Sequence, residues 1–145
     1  MIDAVVQSST VGLFHSLAVA VAPLPVKTAI GTPWTLDWAG FAEFDAPWMH
    51  GSLALTVPSE LCRKLRYNGT RAASTSELLR ELTHQLLRRI ENRLAPSGVS
   101  FRTGLPVVID RPALVRRTAG APLMLYPFRT VCGEVTVTLH GQLEA

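Results

Sequence analysis

Four side chains that could move a proton or meet an anion fall on one line of a helix: Glu77, Glu81, His84 and Arg88. They lie within residues 75–95, TSELLRELTHQLLRRIENRLA, at offsets of four, three and four. At about 100° per residue this confines them to a narrow stripe. Two carboxylates, an imidazole that can donate and accept, and a guanidinium provide acid–base and anion-orienting chemistry. The plainer alternative is the solvated side of an amphipathic helix, with Arg80 pairing with Glu77 at i,i+3. Glu77 and Glu81 are like charges at i,i+4, a spacing that costs about 0.2–0.5 kcal/mol, too little to decide between the two.

Other catalytic templates find no match. There is no glycine-rich phosphate loop, no GxSxG elbow, no HExxH and no CxxC, so nucleotide binding, serine hydrolysis and a resident metal each lack their local device. His15, His50, His84 and His140 are scattered, and Cys62 and Cys132 stand in no paired spacing. Packed, reduced thiols and no metal site are expected.

The elements that must carry the stripe can be read from periodicity. Leu79, Leu82, Leu86, Leu87, Ile90 and Leu94 gather opposite it, with Ser74, Thr75 and Ser76 as candidate caps and Pro96-Ser97-Gly98 as the stop. A first helix is expected over 3–20, ending before Pro23 and Pro25. Residues 27–58 change to short strand-like runs broken by glycine and proline, with Leu53, Leu55 and Val57 on one face of a strand. A short helix follows from Pro58 to Leu65, and Asn68-Gly69 reads as a turn. Three strands are expected after the long helix, over 99–109, 124–128 and 134–140. This order predicts a single α+β domain over residues 1–145, with a mostly antiparallel sheet and helices packed on one face. No internal repeat is visible in the sequence. Trp34, Trp38, Phe41, Phe44 and Trp48 are expected to form a packed sheet face and its edge.

The chain has 145 residues, 48 % of them hydrophobic and 17 % charged, with a net charge of +3. That composition excludes a disordered chain. Residues 1–60 hold one base against five acids, a net −4, and residues 61–145 hold thirteen bases against six acids, a net +7. The arginines lack aromatic interleaving and no groove-reading motif accompanies them, so an acidic protein partner is expected rather than nucleic acid. The most apolar stretch, 11–26, is short and interrupted by His15, Pro23 and Pro25. No export signal opens the chain, and a cytoplasmic protein without a membrane span is expected.

Four passages together resemble the CheC/CheX chemotaxis phosphatases. They are His50-Gly51-Ser52-Leu53-Ala54-Leu55-Thr56-Val57-Pro58-Ser59-Glu60-Leu61, the helix with Glu81-Leu82-Thr83-His84, Gly104-Leu105-Pro106-Val107-Val108-Ile109, and the ending from Pro127-Phe128 to Gly133-Glu134-Val135-Thr136-Val137. A single candidate motif helix makes CheX the nearer relative. The resemblance implies that this helix enters the active site of a phosphorylated response regulator. There a Glu-x-x-Asn motif, with a proline downstream, acts on the aspartyl phosphate: the glutamate contacts the regulator's lysine, and the asparagine positions the attacking water.

Matched to that motif, Glu81 takes the glutamate position, Pro106 the downstream proline, and His84 stands where asparagine is expected. Glu77, Arg88 and Pro106 become binding positions beside Glu81 and His84. The implied Mg²⁺ belongs to the response regulator, so no cofactor of the chain's own is expected. By the same resemblance a homodimer is expected. A neutral imidazole has one donor and one acceptor on opposite sides of a ring, and loses the acceptor when protonated. Two readings therefore stand: a phosphatase using a Glu-x-x-His variant, and a regulatory module that docks on a receiver domain without catalysis.

Overall fold

The leucine face of residues 75–94 has to be buried against another layer, and it packs on the sheet and on the first helix. The computed structural model describes residues 2–30, 37–67, 74–120 and 122–143. Its helices are α1 (Ile2–Ser16), α2 (Ser59–Tyr67), α3 (Thr75–Leu94) and α4 (Arg111–Thr118). The strands are β1 (Ala22–Pro23), β2 (Lys27–Ala29), β3 (Trp38–Ala46), β4 (Met49–Thr56), β5 (Arg102–Thr103), β6 (Val107–Asp110), β7 (Leu123–Thr130) and β8 (Gly133–Leu143). They form one sheet in the order β1-β7-β8-β4-β3-β5, with β2 also on β7 and β6 also on β3. Every pairing is antiparallel. The α+β architecture read from the sequence is the one observed.

The connectivity repeats. A helix, an edge segment and a hairpin (α1, β1/β2, β3–β4) are followed by a second helix, edge segment and hairpin (α3, β5/β6, β7–β8). Each half lends its edge strands to the other's hairpin, β1 and β2 to β7, and β5 and β6 to β3. The halves meet where β4 pairs with β8, from Met49 opposite Leu143 to Thr56 opposite Thr136. Both helices carry a buried threonine bonded one turn back, Thr10 to the Val6 carbonyl and Thr83 to the Leu79 carbonyl. Aligning these two residues places Ser8 at the Glu81 position and Val11 at the His84 position, so only α3 carries the stripe.

One face of the sheet carries the main core. Leu53, Leu55, Val137 and Phe128 pack there against Leu13 and Phe14 of α1 and Leu82, Leu86 and Ile90 of α3. Each such fully buried side chain contributes roughly 1.5–3 kcal/mol. The other face has a smaller cluster, in which Leu114 of α4 joins Phe41, Ala54, Leu123 and Leu125. This fourth helix adds to the three read from the sequence and covers only part of its face. Its start is fixed by Asp110, whose carboxylate accepts from the Ala113 amide at 2.8 Å, and by Pro112 in the first turn.

Boundaries differ where local chemistry intervenes. α1 ends at Ser16 rather than near residue 20, and Ala18 takes a positive φ of 59° just after it. The expected strand over 99–109 is two short strands separated by Gly104-Leu105-Pro106, with the Gly104 amide still bonded to the Glu43 carbonyl at 2.8 Å. Proline has no N–H to give the ladder, so the pairing breaks there. Phe41 and Phe44 are buried, Trp48 packs half-buried against Phe44, and Trp38 is exposed at the sheet's end. Trp34 and the Asn68-Gly69 turn lie outside the described residues.

Candidate functional site: the outer stripe of α3

Helix α3 starts sharply. The Ser74 hydroxyl accepts from the Glu77 amide at 3.1 Å, which satisfies one of the free N–H groups of the first turn. From there Leu78, Leu79, Leu82, Thr83, Leu86, Leu87, Ile90 and Leu94 are all buried. The opposite side is fixed by elimination: Arg80, Glu81, His84 and Arg88 are exposed and Glu77 is half-buried. Glu77 to Arg88 spans about 16 Å at 1.5 Å per residue.

The helix lies very close to the sheet. A β-carbon on Gly40 of β3 would collide with the Thr83 hydroxyl and meet the Leu79 carbonyl at 3.0 Å. Gly40 therefore sets the height at which the stripe is carried. On the far side Arg89 reaches over Gly12 of α1, its guanidinium 3.1 Å from where a β-carbon there would stand. Arg89 thus belongs to the α1–α3 contact rather than to the stripe.

Pro106 is brought to the start of the stripe. Together with Ser74, Ser76, Glu77, Arg80 and Val108 it lines a hollow of about 410 Å³. The neighbouring Leu105 is 88 % exposed and Val107 45 % exposed. Hence the segment after β5 places an apolar projection beside a charged helix terminus. Glu81, His84 and Arg88 continue along α3 beyond the hollow.

Gln85 lies about 100° round the helix from His84, yet its Nε2 donates to Glu81 Oε1 at 3.1 Å. The side chain is long enough to reach back one turn, a contact open to Gln and Glu at i,i+4. Arg80, first read only as a partner for Glu77, lines the hollow beside Pro106.

A larger hollow of about 910 Å³ lies on the other sheet face, past the end of α4, and contains none of the stripe residues. Asp45 and His50 meet across β3 and β4 at 2.7 Å, through His50 Nδ1, and both are largely exposed. Arg117 of α4 stacks over the Phe41 ring at 5.2 Å and stands 3.9 Å from Glu43. His140 Nε2 is buried with no hydrogen-bond partner, and desolvation holds the imidazole below its usual range. Elsewhere, burial pushes the Cys62 thiol up to about 11, so it is inert.

Among the described residues no group of three or more His, Cys, Asp and Glu could hold a metal ion. No helix among them is long and apolar enough to cross a membrane.

Comparison with solved structures identifies the architecture. A CheC-like superfamily protein from Shewanella sp. PV-4 superimposes with a TM-score of 0.80 at 17 % identity, covering 100 % of this chain and 99 % of its own. The fold is that of the CheC/CheX chemotaxis proteins. CheX from Vibrio vulnificus matches with a TM-score of 0.74 and 18 % identity, over 94 % of this chain and 96 % of its own. CheX from Borrelia burgdorferi, solved in complex with CheY, BeF₃ and Mg²⁺, matches with a TM-score of 0.67 and 11 % identity, over 93 % and 94 %. No protein-family model and no curated protein matches the chain. The CheC/CheX fold thus accounts for the whole chain, while the identities carry the fold alone.

Proposed function

We propose that this chain docks on the receiver domain of a phosphorylated response regulator and hydrolyses its aspartyl phosphate through α3. The observation that carries the reading is the exposed alignment of Glu81 and His84 on the helix of a CheC/CheX fold, with Pro106 beside its first turn. A CheX of this fold was crystallised with CheY, and the exposed arginines of α3 complement an acidic receiver surface.

In the proposed step a water held by His84 attacks phosphorus in line. The bond between phosphorus and the aspartyl oxygen breaks, the electron pair leaves on the receiver's carboxylate, and inorganic phosphate is released. The water's proton passes to the unprotonated nitrogen of His84. Glu81 meets a cation of the receiver, with Glu77, Arg88 and the Leu105-Pro106-Val107 projection as flanking contacts. Mg²⁺ is bound by the receiver, and this chain brings no cofactor. Such chemistry rests on positioning and charge, which is why no nucleophile of the protein's own is needed.

A second reading is favoured by one observation: histidine rather than an amide follows Glu81 at i+3. In that reading the same surface docks without hydrolysis. Calorimetric titration with receiver domains, phosphorylated and not, tests what both readings share. Tighter binding of the phosphorylated form, weakened about fivefold or more by Arg88→Glu, is the expected outcome. Equal affinity for both forms removes the docking proposal.

A homodimer belongs to the same proposal. The sheet edges are short strands next to Pro23, Pro25 and Pro106, features that blunt edge pairing. Sedimentation at micromolar concentration that shows only a 15.8 kDa species removes the dimer.

A further inference from the structure

The Gln85 to Glu81 bond joins two side chains one turn apart on α3, and we infer that Gln85 is a positioning residue for Glu81. The inference rests on the proposed action of α3 on a receiver domain. A glutamate on an exposed helix face samples many rotamers, and most of them would carry its carboxylate away from a partner seated over the stripe. Gln85 is half-buried, with its backbone held between Leu82 and Leu86, which are at 2 % and 0 % exposure.

The direction of the bond follows from chemistry. An ionised carboxylate only accepts, so the amide nitrogen of Gln85 must face it. The contact runs from Nε2 to Oε1 at 3.1 Å and uses one carboxylate oxygen, which leaves Oε2 for a cation of the partner. The bond draws Glu81 toward the C-terminal side of its own turn, toward the level of His84. Gln85 thereby selects, before docking, the carboxylate orientation that the proposed reaction uses. It touches neither phosphate nor water in this account, and acts through Glu81.

A double-mutant cycle tests this on the full-length protein and a phosphorylated receiver, with Glu81→Ala, Gln85→Leu and the pair. Gln85→Leu should lower kcat about 3- to 10-fold, less than the roughly 10²-fold that a 1 Å misplacement can cause, while KM stays unchanged. In the Glu81→Ala background the same change should have no further effect. Independently of turnover, the side-chain amide resonances of Gln85 should move on Glu81→Ala. Wild-type rates in Gln85→Leu, an equal loss in both backgrounds, or unmoved amide resonances would each overturn the role of Gln85 while leaving the proposed function intact. If Glu81→Ala changes neither turnover nor receiver binding, the functional reading fails and the role of Gln85 falls with it.

Discussion

Thr83 of α3 stands directly over Gly40 of β3, with no room for a β-carbon between them. The contact ties the motif helix to the strand that anchors the Gly104–Asp110 segment, because Gly40 also pairs with Val108 of β6. One close approach thus sets the spacing between the α3 stripe and Pro106.

Replacing Gly40 with alanine should destabilise the fold by about 1–3 kcal/mol or more, since neither the helix backbone nor the sheet can yield easily. Thermal or urea unfolding checks this. The companion change Thr83→Ser keeps the hydroxyl and should cost much less. Equal stability of Gly40→Ala and wild type would contradict the close packing.

Tyr126 and Asp3 form a second long-range tie, from the Tyr126 hydroxyl to Asp3 Oδ1 at 2.7 Å, with Tyr126 fully buried. It pins the first turn of α1 onto β7. Tyr126→Phe should cost about 1–2 kcal/mol, because the part-buried carboxylate loses its donor. Burial, then the bond and charge of Asp3, raise the tyrosine above its ordinary range. For a raised group the contribution is complete below the unfolded value of about 10 and is lost as pH rises through the folded one. Alkaline unfolding should therefore be shallower in Tyr126→Phe than in wild type.

His140 predicts an effect at the acid end. Desolvation lowers its folded value, so the unfolded chain takes up the proton first, and stability is retained above about pH 6.5 and lost as pH falls below it. His140→Gln should flatten the stability profile between pH 7 and 5. An unchanged slope in that variant would show that the imidazole is not held neutral by the fold.

Much of this was legible in the sequence wherever periodicity was strong. The leucines of α3 and the alternation of Leu53, Leu55 and Val57 point to helix and strand because a 3.6 or 2.0 period has few other physical solutions, but alternation does not show that Ser52, Ala54 and Thr56 on the strand's other face are buried too. α4 is not legible although Asp110 and Pro112 form a helix start; its eight residues hold too few apolar positions to show a period. The split between β5 and β6 turns on Pro106, which breaks the pairing within a run that reads as one strand. The stripe itself was visible, but Gln85 was not, since angular position ignores how far a long side chain reaches. By local pattern Gly40 is one of the glycines that break the runs of residues 27–58. Its role against Thr83 depends on a contact between residues 43 positions apart, and local pattern does not carry that.

Hydrolysis of a receiver's aspartyl phosphate by α3 is measured directly as the rate of phosphate loss from a panel of phosphorylated receiver domains, with wild type, Glu81→Ala and His84→Asn. Faster loss with wild type on at least one receiver, and a fall of about 10²-fold in that acceleration for Glu81→Ala, is the expected result. No acceleration by wild type on any receiver, with activity gained in His84→Asn, would contradict it and leave the docking module in its place.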